Sequence, residues 1–320
     1  MDRKERYNNY SKRLRERFGG QRIQKISING GFSCPNRDGR IGTGGCTFCN
    51  NKTFVPDYCR SVSGISQQVE KGIDFFHHKY KTQSYLVYFQ SYTSTYAGER
   101  TGRERVLFLK ERYEDAIKNK KVAGIVIGTR PDCIDKELLD YLAELNKSTF
   151  VSIEYGVEST HDETLQRIHR GHDFACSRQA ILATAERDIE VGAHIILGLP
   201  QESKDDMIET ALRLNQLPIK SLKLHQLQLI RDTAMGDSYL RHPEQFHPME
   251  MGEYIDLCID FLEHLDYRIG IERFVSSSPS ELLLAPKWGA KNFEFTAKLE
   301  KRIKERDTWQ GRLLEKDIKK

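Results

Sequence analysis

Six short apolar runs of strand character, each followed by a segment of helical length, set the architecture this chain can adopt. The runs fall at residues 23–28, 85–89, 122–127, 149–155, 192–197 and 221–229. Between them, helical apolar periodicity covers 65–80, 103–118, 136–145, 162–167 with 176–188, and 204–216. Strands separated by helices do not pair as hairpins; they lie parallel and return by right-handed crossovers. Six such units approach an eight-unit barrel and fall two short. The expected fold is therefore α/β, an open, partial (β/α)6 barrel.

In parallel barrels the chemistry collects at the C-terminal ends of the strands. Every informative motif of this chain falls there. Three cysteines follow the first run, Gln90-Ser91-Tyr92 the second, and Gly128-Thr129-Arg130-Pro131-Asp132 the third. Gly156-Val157-Glu158-Ser159 follows the fourth and Gly198-Leu199-Pro200 the fifth. After residue 230 the pattern changes to an amphipathic helix over 249–265, a short strand over 267–272 that extends the sheet, a loop at Ser276-Ser277-Ser278-Pro279, and a basic helical end. The expected organisation is a basic N-terminal segment (1–19), a partial-barrel core (20–248), and a C-terminal helical and strand extension packed on the barrel (249–320).

Cys34, Cys46 and Cys49 lie in Cys34-Pro35-Asn36-Arg37-Asp38-Gly39 and Gly45-Cys46-Thr47-Phe48-Cys49-Asn50. Three thiolates this close together can hold three irons of a [4Fe–4S] cube and leave the fourth iron open. An open iron can bind a small molecule and pass it an electron, the arrangement by which S-adenosylmethionine (SAM) is split to a 5′-deoxyadenosyl radical. Phe48 supplies apolar cover for such a cluster. The competing reading is a structural zinc knot with Cys59 as fourth ligand. Zinc knots usually show two Cys-x2-Cys or Cys/His pairs, and this chain has one. An odd count of seven cysteines in 320 residues speaks against a disulfide framework.

No apolar run reaches the roughly 18 residues of a membrane span. The polar start, Met1-Asp2-Arg3-Lys4-Glu5-Arg6-Tyr7, predicts no secretory leader and a cytoplasmic protein. Net charge is only +4 but unevenly placed. Residues 1–25 hold nine Lys/Arg against three acids, and residues 287–320 hold eleven against six. Basic ends on a near-neutral body suit a polyanion such as nucleic acid; mixed-charge, solvated helices explain them as well.

With these motifs in place, the chain resembles the radical SAM superfamily, and within it the branch of the Elongator catalytic subunit and the bacterial YhcC/YtqA-type proteins. The likeness spans nearly the whole length. Besides the cysteine motifs it rests on Ile127-Gly128-Thr129-Arg130-Pro131-Asp132, Glu154-Tyr155-Gly156-Val157-Glu158-Ser159, Arg170-Gly171-His172, His194-Ile195-Ile196-Leu197-Gly198-Leu199-Pro200 and Ala285-Pro286-Lys287-Trp288. Eleven residues separate the first two cysteines, a longer spacing than the common Cys-x3-Cys-x2-Cys and typical of this branch. The resemblance implies a partial barrel of the radical SAM type, a [4Fe–4S] cluster on Cys34, Cys46 and Cys49, and reductive cleavage of SAM. It implies Glu158 on the ribose hydroxyls and Arg170 on the methionine carboxylate, where a guanidinium offers a planar fork. Gln90 stands where relatives place Gly-Gly-Glu for the methionine amine, and Gly198 brings backbone to the adenine. It further implies a tRNA substrate, through maturation of a wobble-uridine side chain from carboxymethylaminomethyl to methylaminomethyl-type groups, and an electron donor such as flavodoxin or ferredoxin.

Other residues read more simply. His194 and His225 fit satisfied core histidines, Cys133, Cys176 and Cys258 fit buried small apolar residues, and Trp288 fits an anchor for the extension. Two rival functions stand beside the main one: a radical SAM enzyme acting on a small metabolite, and a zinc-stabilised RNA-binding protein.

Overall fold

The computed structural model describes residues 5–53, 55–78 and 83–314. The chain opens with helix α1 (Tyr10–Arg17), then strand β1 (Arg22–Ile28), the cysteine loop, and helices α2 (Asp57–Arg60) and α3 (Ile65–His77). The alternation continues through β2 (Gln83–Phe89), α4 (Gly102–Ala116), β3 (Val122–Thr129), α5 (Lys136–Asn146), β4 (Phe150–Glu158), α6 (Asp162–Arg167), α7 (Phe174–Ala185), β5 (Glu190–Leu197), α8 (Lys204–Leu214) and β6 (Ser221–Gln226). Then come β7 (Leu229–Ile230), α9 (Ala234–Arg241), α10 (Met251–Glu263), β8 (Gly270–Arg273), β9 (Leu283–Ala285) and α11 (Asn292–Glu305). Residues 79–80 of the helix expected over 65–80, and the terminal Lys319-Lys320, lie outside the described residues.

Seven strands form one parallel sheet in the order β1-β2-β3-β4-β5-β6-β8, curled into a half-barrel. The expected partial barrel is present, and the C-terminal strand extends it beside β6 as a seventh member. Several boundaries differ: the extension strand expected over 267–272 is Gly270–Arg273, and the sixth strand is cut short. The sixth strand leaves the sheet after Gln226, because Leu229 and Ile230 pair antiparallel with β9 instead.

Strand alternation builds two different faces. Outward residues such as Ile26, Val87, Ile127, Ile153, Val191 and Leu224 are buried under the helices in the main core. Inward residues at the lower end, Leu86, Tyr88, Val126 and Phe150, close around Tyr10 and Leu14 of α1. The N-terminal helix therefore plugs the bottom of the barrel. Its start is set by Asn9, whose side chain accepts from Lys12 N at 3.2 Å.

The two chain ends clasp each other. Arg6 pairs with Asp307 at 2.8 Å, Tyr7 Oη donates to Glu300 at 3.0 Å, and Gln310 N donates to Arg6 O at 2.9 Å. Arg302 pairs with Asp256 at 2.9 Å, and Arg306 with Asp260. Part of the basic charge at the ends is thus engaged in tying α11 to α10 and to the N-terminal segment. Trp288 packs within the extension: Nε1 donates to Met249 O at 2.9 Å, and the ring stacks on Phe295.

Candidate cofactor-binding cleft

The upper strand ends surround a cleft of about 190 Å3, open to solvent, into which Cys34, Cys46 and Cys49 all project. The loop carrying them is held by its own backbone. Arg37 N donates to Cys34 O at 2.8 Å, Cys49 N to Cys46 O at 3.0 Å, and Thr47 N to Ile168 O at 3.0 Å. Arg37 Nη2 closes it by donating to Cys49 O at 2.5 Å.

Cys46 is the most heavily dressed sulfur. Arg170 Nη1 lies 3.4 Å from its Sγ, Asn36 Nδ2 3.6 Å and Arg130 Nη1 4.0 Å. Cationic and amide N–H groups aimed at sulfur stabilise thiolate charge and tune an iron–sulfur cluster. Burial, with Cys46 nearby, pushes the Cys49 thiol up to about 11. Such a thiol is ionised when a metal displaces its proton. Cys59 sits elsewhere, buried on α2 with Sγ 3.6 Å from Ser27 O, and does not line the cleft. This donor set fits a three-cysteine cluster and not a four-cysteine knot.

Arg170 is positioned from two sides. Nη2 donates to Gly156 O at 2.5 Å, and Glu158 Oε1 stands 3.8 Å away. Gly156 makes this possible, since a Cβ there would fall 2.8 Å from Arg170 Nη2 and 2.5 Å from Glu158 Oε1. Burial works against the Arg170 charge, but Cys46 and Glu158 more than offset it. Its Nε is buried without a partner. Glu158 ends β4 with φ of +67° beside a register shift, and burial pushes its carboxyl up despite Arg170 and Arg130.

Gln90 also faces the cleft, its Oε1 accepting from Ser27 Oγ at 3.2 Å. Gly198 does not line the cleft. It makes a turn with φ of +88°, where an added Cβ would meet Met249 Cε at 3.0 Å. His194 is a satisfied histidine, hydrogen-bonded to Glu154 at 3.0 Å, yet it faces the cleft together with His225. Cys133 and Cys258 are buried as expected, while Cys176 is only half-buried on α7.

Two groups escaped the sequence reading. Arg130 is buried, holds Asp132 with two 2.8 Å bonds, and donates to Arg170 O at 2.6 Å. Its motif was visible but its aim was not. Deeper in the barrel, Lys25, Glu154, Lys223 and Glu272 form a buried ionic layer. The every-second-residue spacing of Ser221, Lys223 and His225 was the available signal for an inward polar face.

Comparison with known proteins settles the class. Residues 36–214 match the radical SAM superfamily and residues 219–305 the radical SAM C-terminal domain. The chain belongs to the radical SAM superfamily, whose enzymes use a [4Fe–4S] cluster and SAM. It is 33% identical to the uncharacterized protein YtqA of Bacillus subtilis over 97% of this chain and 94% of that protein. To protein YhcC of Escherichia coli K12 it is 34% identical over 84% of this chain and 83% of that protein. Its fold resembles that of the archaeal Methanocaldococcus infernus Elp3, with a TM-score of 0.64 at 14% identity, covering 90% of this chain. This chain spans 64% of that Elp3 chain's length. Among the described residues no helix is long and apolar enough to cross a membrane.

Proposed function

We propose that this radical SAM enzyme modifies tRNA, acting on the side chain of a wobble uridine. Cys34, Cys46 and Cys49 would hold three irons, leaving the fourth for the amino and carboxylate groups of SAM. When bound, the cluster and SAM would supply the radical chemistry needed to take hydrogen from an unreactive C–H bond. Arg170 would bind the methionine carboxylate through its unpartnered Nε edge, and Glu158 the ribose hydroxyls. Gln90 would meet the methionine amine. The barrel wall and the α1 plug shut water out below. A reductant of the flavodoxin or ferredoxin kind would supply the electron.

The observation that carries the enzymatic reading is the convergence of three cysteine sulfurs and Arg170 on one open cleft. For the RNA substrate, the support is kinship. Elongator complex protein 3 of Danio rerio is 27% identical over 128 residues, 39% of this chain. A cleft that opens to solvent also suits a nucleoside swung out of its stack, as base-modifying enzymes require. Comparing the modified nucleosides of bulk tRNA from cells with and without the protein tests the proposal. Accumulation of an immature wobble uridine supports it, and an identical nucleoside profile rejects it.

A further inference from the structure

The ionic layer inside the barrel leaves one cation over. Lys25 Nζ donates to Glu154 and Glu272 at 2.6 Å each. Lys223 Nζ donates to Glu154 at 2.5 Å and stands 3.3 Å from Glu272. Two carboxylates thus serve two ammonium groups. Arg273, beside Lys223 in the β6–β8 register, makes no ion pair among the described residues. Its Nη2 meets only His225 Nε2, at 3.3 Å, and its Nε is buried with no partner. A ring nitrogen that accepts from a guanidinium belongs to a neutral imidazole, and burial beside Arg273 holds His225 well below its usual range. A guanidinium stays charged in proteins, and a charge withdrawn from water without a counter-ion is costly. Arg273 lines the same cleft as the three cysteines, so a ligand there can supply the missing anion.

We propose that Arg273 is the receptor for a carboxylate carried by the substrate, with His225 fixing the plane of its guanidinium. His225 is itself supported, its ring 5.3 Å from that of His194, which Glu154 holds. One uncompensated charge matches a monoanion, and one unpartnered edge of a planar fork matches two coplanar oxygens. A phosphate would call for further donors, and the neighbouring lysines are already paired. The inference rests on the function proposed above for the nucleoside that bears the carboxylate. The carboxylate itself is inferred from Arg273.

Anaerobic calorimetry on the cluster- and SAM-loaded protein tests this with 5-carboxymethylaminomethyluridine and its isosteric, uncharged carboxamide. The acid is expected to bind about tenfold tighter or better, the scale of one charge-assisted contact. Arg273→Gln should erase that preference and Arg273→Lys should restore part of it, with the carboxamide bound equally by all three. Equal binding of acid and carboxamide by the wild-type protein overturns the proposal without any variant. So does a preference that survives Arg273→Gln. If Arg273→Gln weakens SAM as much as it weakens the acid, the cofactor's own carboxylate is the ligand and the proposal is likewise lost. Inorganic phosphate competing as well as acetate would make the site a phosphate site and overturn it. Acetate separates this claim from the tRNA reading. Should tRNA nucleosides prove identical with and without the protein, Arg273-dependent acetate binding still supports the carboxylate site, and absence of acetate binding refutes it.

Discussion

Arg170 Nη1 lies 3.4 Å from Cys46 Sγ while its Nη2 is held by Gly156 O, so the guanidinium is clamped between the cysteine loop and the end of β4. One side chain thereby ties the sulfur that would ligate iron to the strand whose end carries Glu158. The clamp leaves Nε buried and without a partner.

Removing that clamp should weaken SAM more than it weakens cluster assembly. Arg170→Ala is expected to raise the SAM dissociation constant roughly ten- to a hundred-fold, from loss of a charge-assisted contact of about 1.5–3 kcal/mol. Arg170→Lys should recover little, since an ammonium has no fork. Calorimetry on the iron-loaded variants reads the effect. A wild-type constant in Arg170→Ala would place the carboxylate on another residue.

The cysteines divide into two sets. Ala at Cys34, Cys46 or Cys49 should abolish both cluster binding and SAM cleavage. Ala at Cys59 or Cys258 should leave about four irons per chain, because Cys59 Sγ faces Ser27 O and Cys258 lies on the core side of α10. Iron and sulfide analysis with quantification of 5′-deoxyadenosine decides it. Loss of iron from Cys59→Ala equal to that from Cys46→Ala would restore the four-cysteine model.

Alternating strand and helix periods in the sequence mark out the half-barrel and put the cysteines, Glu158 and the Gly128–Asp132 motif at strand ends. Strand alternation is local, so it survives in the sequence. The inward ionic layer did not, because Lys25 and Glu154 are 129 residues apart and meet only when the sheet curls. The same holds for the basic ends. Counting charges could not show that Arg6 would find Asp307, or that Arg302 would find Asp256. Arg273 was hidden for a further reason: its strand is only four residues long and lies beyond the point where the βα rhythm stops.

Glu154 is the keystone of that layer, 1% exposed and bonded to Lys25, Lys223 and His194. Glu154→Ala leaves buried cations unpaired and should cost about 3–5 kcal/mol in anaerobic denaturation. A loss below 1 kcal/mol would mean water reaches the layer.

The same layer makes stability depend on pH in a defined direction. Burial and Lys223 lower the His194 pKa from 6.5 to about 4, so the folded protein keeps it neutral while the unfolded chain takes up a proton. The unfolded state then binds more protons, and stability falls as pH drops from about 6.5 toward 4. The full effect is roughly 3 kcal/mol at 1.36 kcal/mol per unit. Glu154, held well below the usual carboxylate range although burial opposes this, adds to the loss only at still lower pH. His194→Gln keeps a donor toward Glu154 and should flatten the slope between pH 6.5 and 5. Parallel slopes for variant and wild type would assign the acid sensitivity to other groups.

RNA contact through the chain ends depends on which charges remain free. Arg302 and Arg306 are engaged by Asp256 and Asp260, and a cation already neutralised releases no counter-ion from phosphate. Arg15 and Lys304 are exposed and make no ion pair among the described residues. Arg15→Glu with Lys304→Glu should therefore flatten the salt dependence of tRNA binding by about 1.5 in log–log slope, near 0.7 per phosphate. SAM affinity should be untouched, since both residues stand away from the cysteine cleft. Arg302→Glu should behave differently, lowering thermal stability with less change in slope, because it breaks a contact between α11 and α10. An unchanged slope in the double variant would turn the search for the RNA surface to the rim of the cleft.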